Sequence, residues 1–288
     1  MGWVKLADQP GKRIVNKQFN DIIYWEIRDG FVWHQKRKLR SADPESFEFR
    51  DDDHDFIGRD KHHIYHAWDK MKNIDRDSFE VLTDNYCRDK NLAYCEYETS
   101  LKPLKGTDVT NFVILGNGYA RDAEYAYYWG RSLRKCTAPM TLQLVDSKKE
   151  MAYLYAKDKE FVYYEGAVLK GADLETWQLL DDGDYSSDVT AVYFCGRKLP
   201  GARVDSWKRL KFHYSCDEKN VYCMHFRLKG ADPNYLTILN QHHVMDRQFV
   251  YWISQLVEGA DIESFKVISD NEAIDKYGSF DRGDRINA

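Results

Sequence analysis

Nine aspartates recur along the chain, at Asp29, Asp60, Asp89, Asp122, Asp158, Asp188, Asp217, Asp246 and Asp275. Carboxylates in a ladder are what a string of calcium ions needs, and paired acids, as in Asp51-Asp52-Asp53-His54-Asp55, are what proton transfer needs. Spacing rules out the ladder. Successive intervals are 31, 29, 33, 36, 30, 29, 29 and 29 residues, whereas calcium-binding β-helix repeats place several glycines and aspartates in each nonapeptide turn. The acidic stretch at 51–55, like Asp181-Asp182-Gly183-Asp184, falls between units and reads as a solvated connector. His62, His63 and His66 cluster, with His242 and His243 elsewhere. Zinc would need three or four such groups to converge; turn and packing positions explain them more simply. No phosphate loop, dinucleotide fingerprint or nucleophile elbow is present. The expectation is therefore a chain with no catalytic residue, no cofactor and no metal site.

What the aspartates do follows from their company. Five residues after each comes an aromatic: Tyr65, Tyr94, Tyr127, Tyr163, Tyr193, Tyr222, Tyr251 and, near the end, Phe280. In the first unit Trp33 stands one residue early. A second column follows about fifteen residues after the aspartate, as Gly171-Ala172-Asp173, Gly230-Ala231-Asp232 and Gly259-Ala260-Asp261. Four residues beyond its last position sits a large apolar side chain such as Phe47, Phe79, Trp177 or Phe265. A polar, aspartate-led stretch such as Asp158-Lys159-Glu160 suits a tight turn. The run Val162-Tyr163-Tyr164 is apolar at consecutive positions, so both faces of that strand must be covered. Stacked repeats cover both faces, because each unit lies between its neighbours. Asp173 can then cap a single helical turn, helped in two units by Asp43-Pro44 and Asp232-Pro233.

The predicted fold is mainly β: tandem repeats of about thirty residues, each a hairpin plus one helical turn. The units are arranged as an open β-solenoid-like stack, with a closed β-propeller-like ring as the alternative. About eight full units run over 25–272 of a single 1–288 domain, with half-units at 1–24 and 273–288. Composition agrees. Aromatics make up 15% of the 288 residues, with 20 tyrosines and 8 tryptophans, which favours strands built on buried rings. A net charge of -5 gives no support to a nucleic-acid surface. No apolar run is long enough to span a membrane, and the start Met-Gly-Trp-Val has no export signal, so a cytoplasmic location is expected. The six cysteines form no C-x-x-C pair and read as buried thiols. Trp68, Tyr97 and Trp129 fall at the hairpin tips of three successive units and form a candidate partner-binding ridge.

At these columns the chain resembles the bacterial DKNYY family. The residues that carry the resemblance are Asp158-Lys159-Glu160-Phe161-Val162-Tyr163-Tyr164, Asp89-Lys90-Asn91-Leu92-Ala93-Tyr94 and Glu218-Lys219-Asn220-Val221-Tyr222. Ala138 and Arg203 depart from the trailing aspartate column. The resemblance implies a non-enzymatic binding module. It also implies an immunity role: a protein partner, possibly a toxin domain encoded nearby, neutralised by stoichiometric binding. A carbohydrate- or surface-binding repeat is the alternative. Nothing in the sequence sets the oligomeric state.

Overall fold

The computed structural model describes residues 2–9, 13–16, 21–52, 54–97, 100–146, 148–180 and 183–286, with backbone alone between 13 and 24. Asp53, Asp181 and Asp182 lie outside the described residues. The chain forms two compact units, 1–144 and 145–288. Both are built from small antiparallel sheets of consecutive strands, none closed into a barrel. Among the described residues no helix is long and apolar enough to cross a membrane.

The sheet after Trp177 shows the pattern. Gln178–Leu179, Tyr185–Ser187, Val192–Phe194 and Arg197–Lys198 lie side by side in chain order. Asp188 turns the second strand into the third, and Cys195-Gly196 turns the third into the fourth. At the latter turn both residues have positive φ, 44° and 71°, as in the two-residue hairpins that match strand twist. Glycine is needed at 196 twice over, because a Cβ there would also stand 2.6 Å from Cβ of Tyr164 in the preceding sheet. The expected helical turn is a three-residue 3-10 turn at Val109–Asn111, Pro139–Thr141 and Val204–Ser206, and a plain turn after Asp173. Three residues are too few for a 13-atom helical ring to propagate.

The ends of the chain are placed as follows. Arg13–Asn16 pairs with Asp21–Arg28 in the first sheet, and Trp3–Lys5 joins the second sheet beside Glu48–Arg50. Lys266–Val267, Glu272–Asp275, Gly278–Asp281 and Asp284–Ile286 make a complete final sheet.

Each core is shared by two successive sheets. Tyr185, Val192, Phe194 and Leu199 pack with Tyr222 of the next one, and Tyr86, Ala93 and Leu104 pack with Phe112, Ala120 and Tyr127. A further aromatic column stands three residues before the anchor aspartate. It comprises Tyr86, Tyr119, Tyr155, Tyr185 and Tyr214, all fully buried. Two of these phenols tie one sheet to the next: Tyr86 donates to the Gly118 carbonyl at 2.8 Å and accepts from Gly130 N–H at 3.0 Å, and Tyr185 donates to the His213 carbonyl at 3.1 Å. A single repeat leaves such groups unpaired, so it cannot fold alone.

Cys87, Cys95, Cys216 and Cys223 are buried thiols. Cys87 lies opposite Tyr94 and Cys95 opposite Tyr86. With side chains alternating along each strand, the two sulfurs point to opposite faces of the sheet.

Candidate functional site: carboxylate nodes, a histidine cluster and the hairpin tips

The anchor aspartates from Asp60 to Asp275 are buried, while Asp29 is exposed, and an ionised carboxylate persists in the interior only when hydrogen bonds replace its water. Asp188 shows how. Its Oδ1 accepts from the backbone of Thr190 at 2.6 Å and Ala191 at 2.9 Å and from the Thr190 hydroxyl at 2.7 Å. Its Oδ2 accepts from Asp173 N–H at 2.9 Å and from the Tyr193 hydroxyl at 3.0 Å. Burial alone would raise this carboxyl's pKa; these donors outweigh it and hold the group below its ordinary range. The arrangement recurs at Asp60 with Tyr65, Asp89 with Tyr94 and Asp122 with Tyr127, at 2.9, 2.9 and 3.1 Å. The five-residue spacing thus places a phenol across the hairpin from the carboxylate that receives it. In the last sheet Phe280 has no hydroxyl, and Arg285 donates to both oxygens of Asp275 at 3.1 and 2.9 Å instead. Tyr193→Phe removes one donor without a cavity and is expected to lower unfolding free energy by about 1–2 kcal/mol, read from urea melts.

The trailing aspartates do a second task. Asp43, Asp75 and Asp261 pair with the lysines that follow the anchors, Lys61, Lys90 and Lys276, at 3.3, 2.7 and 2.7 Å. Arg203, a departure at this column, keeps the pair with its signs exchanged, because Glu218 stands where those lysines do. Its backbone N–H still donates to Asp217 at 2.9 Å, so the turn is retained. Arg203→Asp alone should set two carboxylates together and lower the urea midpoint. Adding Glu218→Lys should restore it, within the ~1 kcal/mol that exposed pairs are worth.

The acidic stretch at 51–55 is not wholly solvated. His54 and Asp55 are buried, which corrects the reading of this segment as a simple connector. His54 Nδ1 lies 2.9 Å from Glu96 Oε2, and His66 Nε2 lies 2.9 Å from Glu96 Oε1. Burial opposes charge on Glu96, yet the two imidazoles win and keep its pKa low. Burial likewise opposes charge on His54, but Glu96 and then Asp52 raise its pKa. His34 is 0% exposed. Neither of its ring nitrogens has a partner among the described residues, and its ring stands 4.4 Å from Trp25. Desolvation, then the charge of His66, lowers its pKa to about 4. His62 and His63 instead give their backbone N–H groups to Asp60, both at 2.7 Å. Among the described residues no group of three or more histidine, cysteine, aspartate or glutamate side chains is arranged to hold a metal ion.

The tip residues separate. Trp68 is half-buried against the first core, with the Arg37 guanidinium 4.1 Å from its ring. Tyr97 is 39% exposed and has Lys102 5.0 Å away. Tyr97 and Trp129 line one small cleft with Cys95, Lys102, Gly130 and Arg131, and Trp68 is not part of it. In the second unit a larger groove of about 460 Å³ runs across three successive tips, lined by Tyr164, Phe194, Arg197 and His225 among others. Its turn residues, Glu165-Gly166 and Cys195-Gly196, carry no large ring, so a search for aromatic tips passes over it.

Repeated sheets and their carboxylate nodes define a tandem β-repeat protein. The DKNYY family model matches residues 19–193 and 185–287, and the chain belongs to the DKNYY family. No curated protein and no solved structure matches it.

Proposed function

We propose that this chain is a non-enzymatic binding protein, a cytoplasmic immunity protein that neutralises a cognate antibacterial toxin by stoichiometric binding. The observation that carries the reading is the division of labour among its polar groups. The anchor carboxylates, the groups best placed by type for chemistry, are taken up by turn N–H groups and phenols. Clefts, in contrast, open along the hairpin tips. A repeat surface of this size can supply the ~1,600 Å² typical of a stable protein complex, with a few rings contributing most of the affinity. Tyr97 and Trp129 are the rings placed for it. Co-expression with the neighbouring gene in a sensitive host tests the reading, using wild type and a folded Trp68→Ala/Tyr97→Ala/Trp129→Ala variant. Rescue by wild type and failure of the variant is the expected result. Rescue by both would remove the tips from the interface. A harmless neighbouring gene would overturn the immunity role and favour a carbohydrate- or surface-binding repeat, for which an exposed tyrosine beside a cleft is also suited.

A further inference from the structure

The protein is acidic overall, yet in the first unit most of the described cations that lack a carboxylate partner lie along one edge. On the anchor side, cations are matched: Arg59 with Glu48, Lys61 with Asp43, Arg88 with Glu80 and Lys90 with Asp75. The fourth strands, Arg37–Leu39, Asp69–Lys70, Ser100–Leu104 and Arg131–Ser132, and the residues just after them differ. Arg37, Lys38, Lys70, Lys102, Arg131 and Lys135 are exposed or half-exposed, and none has a carboxylate partner among the described residues. Asp69 is the one carboxylate on those four strands. Elsewhere in this unit, among described side chains, Lys5, Lys36 and Arg121 also lack one.

These strands lie alongside one another. Arg37 of the first sheet covers Trp68 of the second, Met71 and Leu101 join one core between the second and third, and Lys102 and Arg131 line one cleft between the third and fourth. Lysine on an edge strand also discourages edge-to-edge pairing. That purpose would apply equally to the opposite edge, where the third and fourth sheets show Glu80–Val81 and Val113–Gly116. The basic bias of one edge therefore calls for another cause.

We propose that this basic edge docks an acidic protein segment, so that the partner of the binding reading above presents carboxylates to it. The rings on the edge point away from nucleic acid. Bases stack on open aromatic faces, but here the chain's own cations sit over them: Lys38 over Phe31 at 2.9 Å, Arg37 over Trp68 at 4.1 Å and Lys102 near Tyr97 at 5.0 Å. A long polyanion would also meet the net charge of -5, whereas a short acidic patch contacts the edge alone. The acidic clusters, in turn, are partly spent inside the fold, Asp52 on Arg50 and Glu96 on His54.

The test titrates the full chain with a fluorescent deca-glutamate peptide at low salt, beside an oligodeoxythymidine and phosphatidylserine vesicles. Peptide binding should weaken about tenfold in Lys102→Gln/Arg131→Gln. It should be unchanged in Lys61→Gln/Lys90→Gln, which removes the same charge from the matched side; melting curves confirm that both variants fold. Equal loss in the two variants, or no peptide binding, overturns the edge. Tighter binding of the oligonucleotide or the vesicles overturns the acidic-protein assignment. The two readings fail separately: a toxin captured equally by wild type and Lys102→Gln/Arg131→Gln removes this edge and leaves the binding function, whereas peptide binding beside a harmless neighbouring gene does the reverse.

Discussion

Asp188→Ala is expected to lower the unfolding free energy by about 3–5 kcal/mol, the scale of breaking a buried charged network. The loss comes from what stays behind. The N–H groups of Thr190, Ala191 and Asp173 and the hydroxyl of Tyr193 all end on this carboxylate. Each buried donor left without a partner costs about 1–3 kcal/mol, with water entering the cavity offsetting part of it. Asp173→Ala should cost only about 1 kcal/mol. Asp173 accepts from the Thr176 backbone at 3.0 Å and hydroxyl at 2.9 Å at a partly exposed turn, where water can replace it. Urea melts of the two variants decide the order. If Asp173 proves the more damaging, the anchor is not the node of the repeat.

Acid should unfold the wild type more readily than His34→Leu. In the unfolded chain the imidazole takes up its proton near its ordinary value of 6.5, whereas in the fold it resists protonation until about 4. Between those values the unfolded state binds more protons, so stability is lost as pH falls through the window. That window is worth roughly 3 kcal/mol. His54 acts in the opposite sense: its raised pKa contributes below the unfolded value and is lost as pH rises through the folded one. Glu96, with its lowered pKa, contributes above its unfolded value and is lost in acid. Both groups remain in the variant, so their contributions largely cancel from the difference. At pH 7 the variant should match or exceed wild type, because leucine removes two buried nitrogens that have no partner among the described residues. The gap should then widen by roughly 3 kcal/mol towards pH 4. Parallel stability curves would mean that His34 is hydrated or paired in solution.

The repeat was legible because Asp188, Asp217, Asp246 and Asp275 keep one interval of 29 residues, and a backbone turn needs the same side chain each time it recurs. That a phenol five residues on reaches the same carboxylate is not legible in the spacing. Spacing shows that Tyr193 is buried, but not where its hydroxyl ends. The column Tyr86, Tyr119, Tyr155, Tyr185 and Tyr214 is just as periodic in the sequence. Glu96 was hidden for a different reason. Its partners His54 and His66 lie 42 and 30 residues away; His54 has no counterpart at the matching position in other units, and His66 has one only in the first, as His34. A cluster that breaks the repeat leaves no periodic signal. The stretch at 51–55 misled through composition, since a run of acids ordinarily marks solvent, while His54 is held inside by Glu96. The sign of the unpaired edge charge was equally invisible. Counting charges gives -5, and only geometry separates the matched lysines from the unmatched ones.

The central claim is that this chain acts by occupying its partner, without turnover. It is tested most directly by titrating the purified protein into the product of the neighbouring gene while following that product's activity. Stoichiometric binding predicts a linear fall that reaches its floor at one equivalent, with intact, active toxin recovered when the complex is dissociated. Complete inactivation by a small fraction of an equivalent, or a toxin recovered chemically altered, would contradict it.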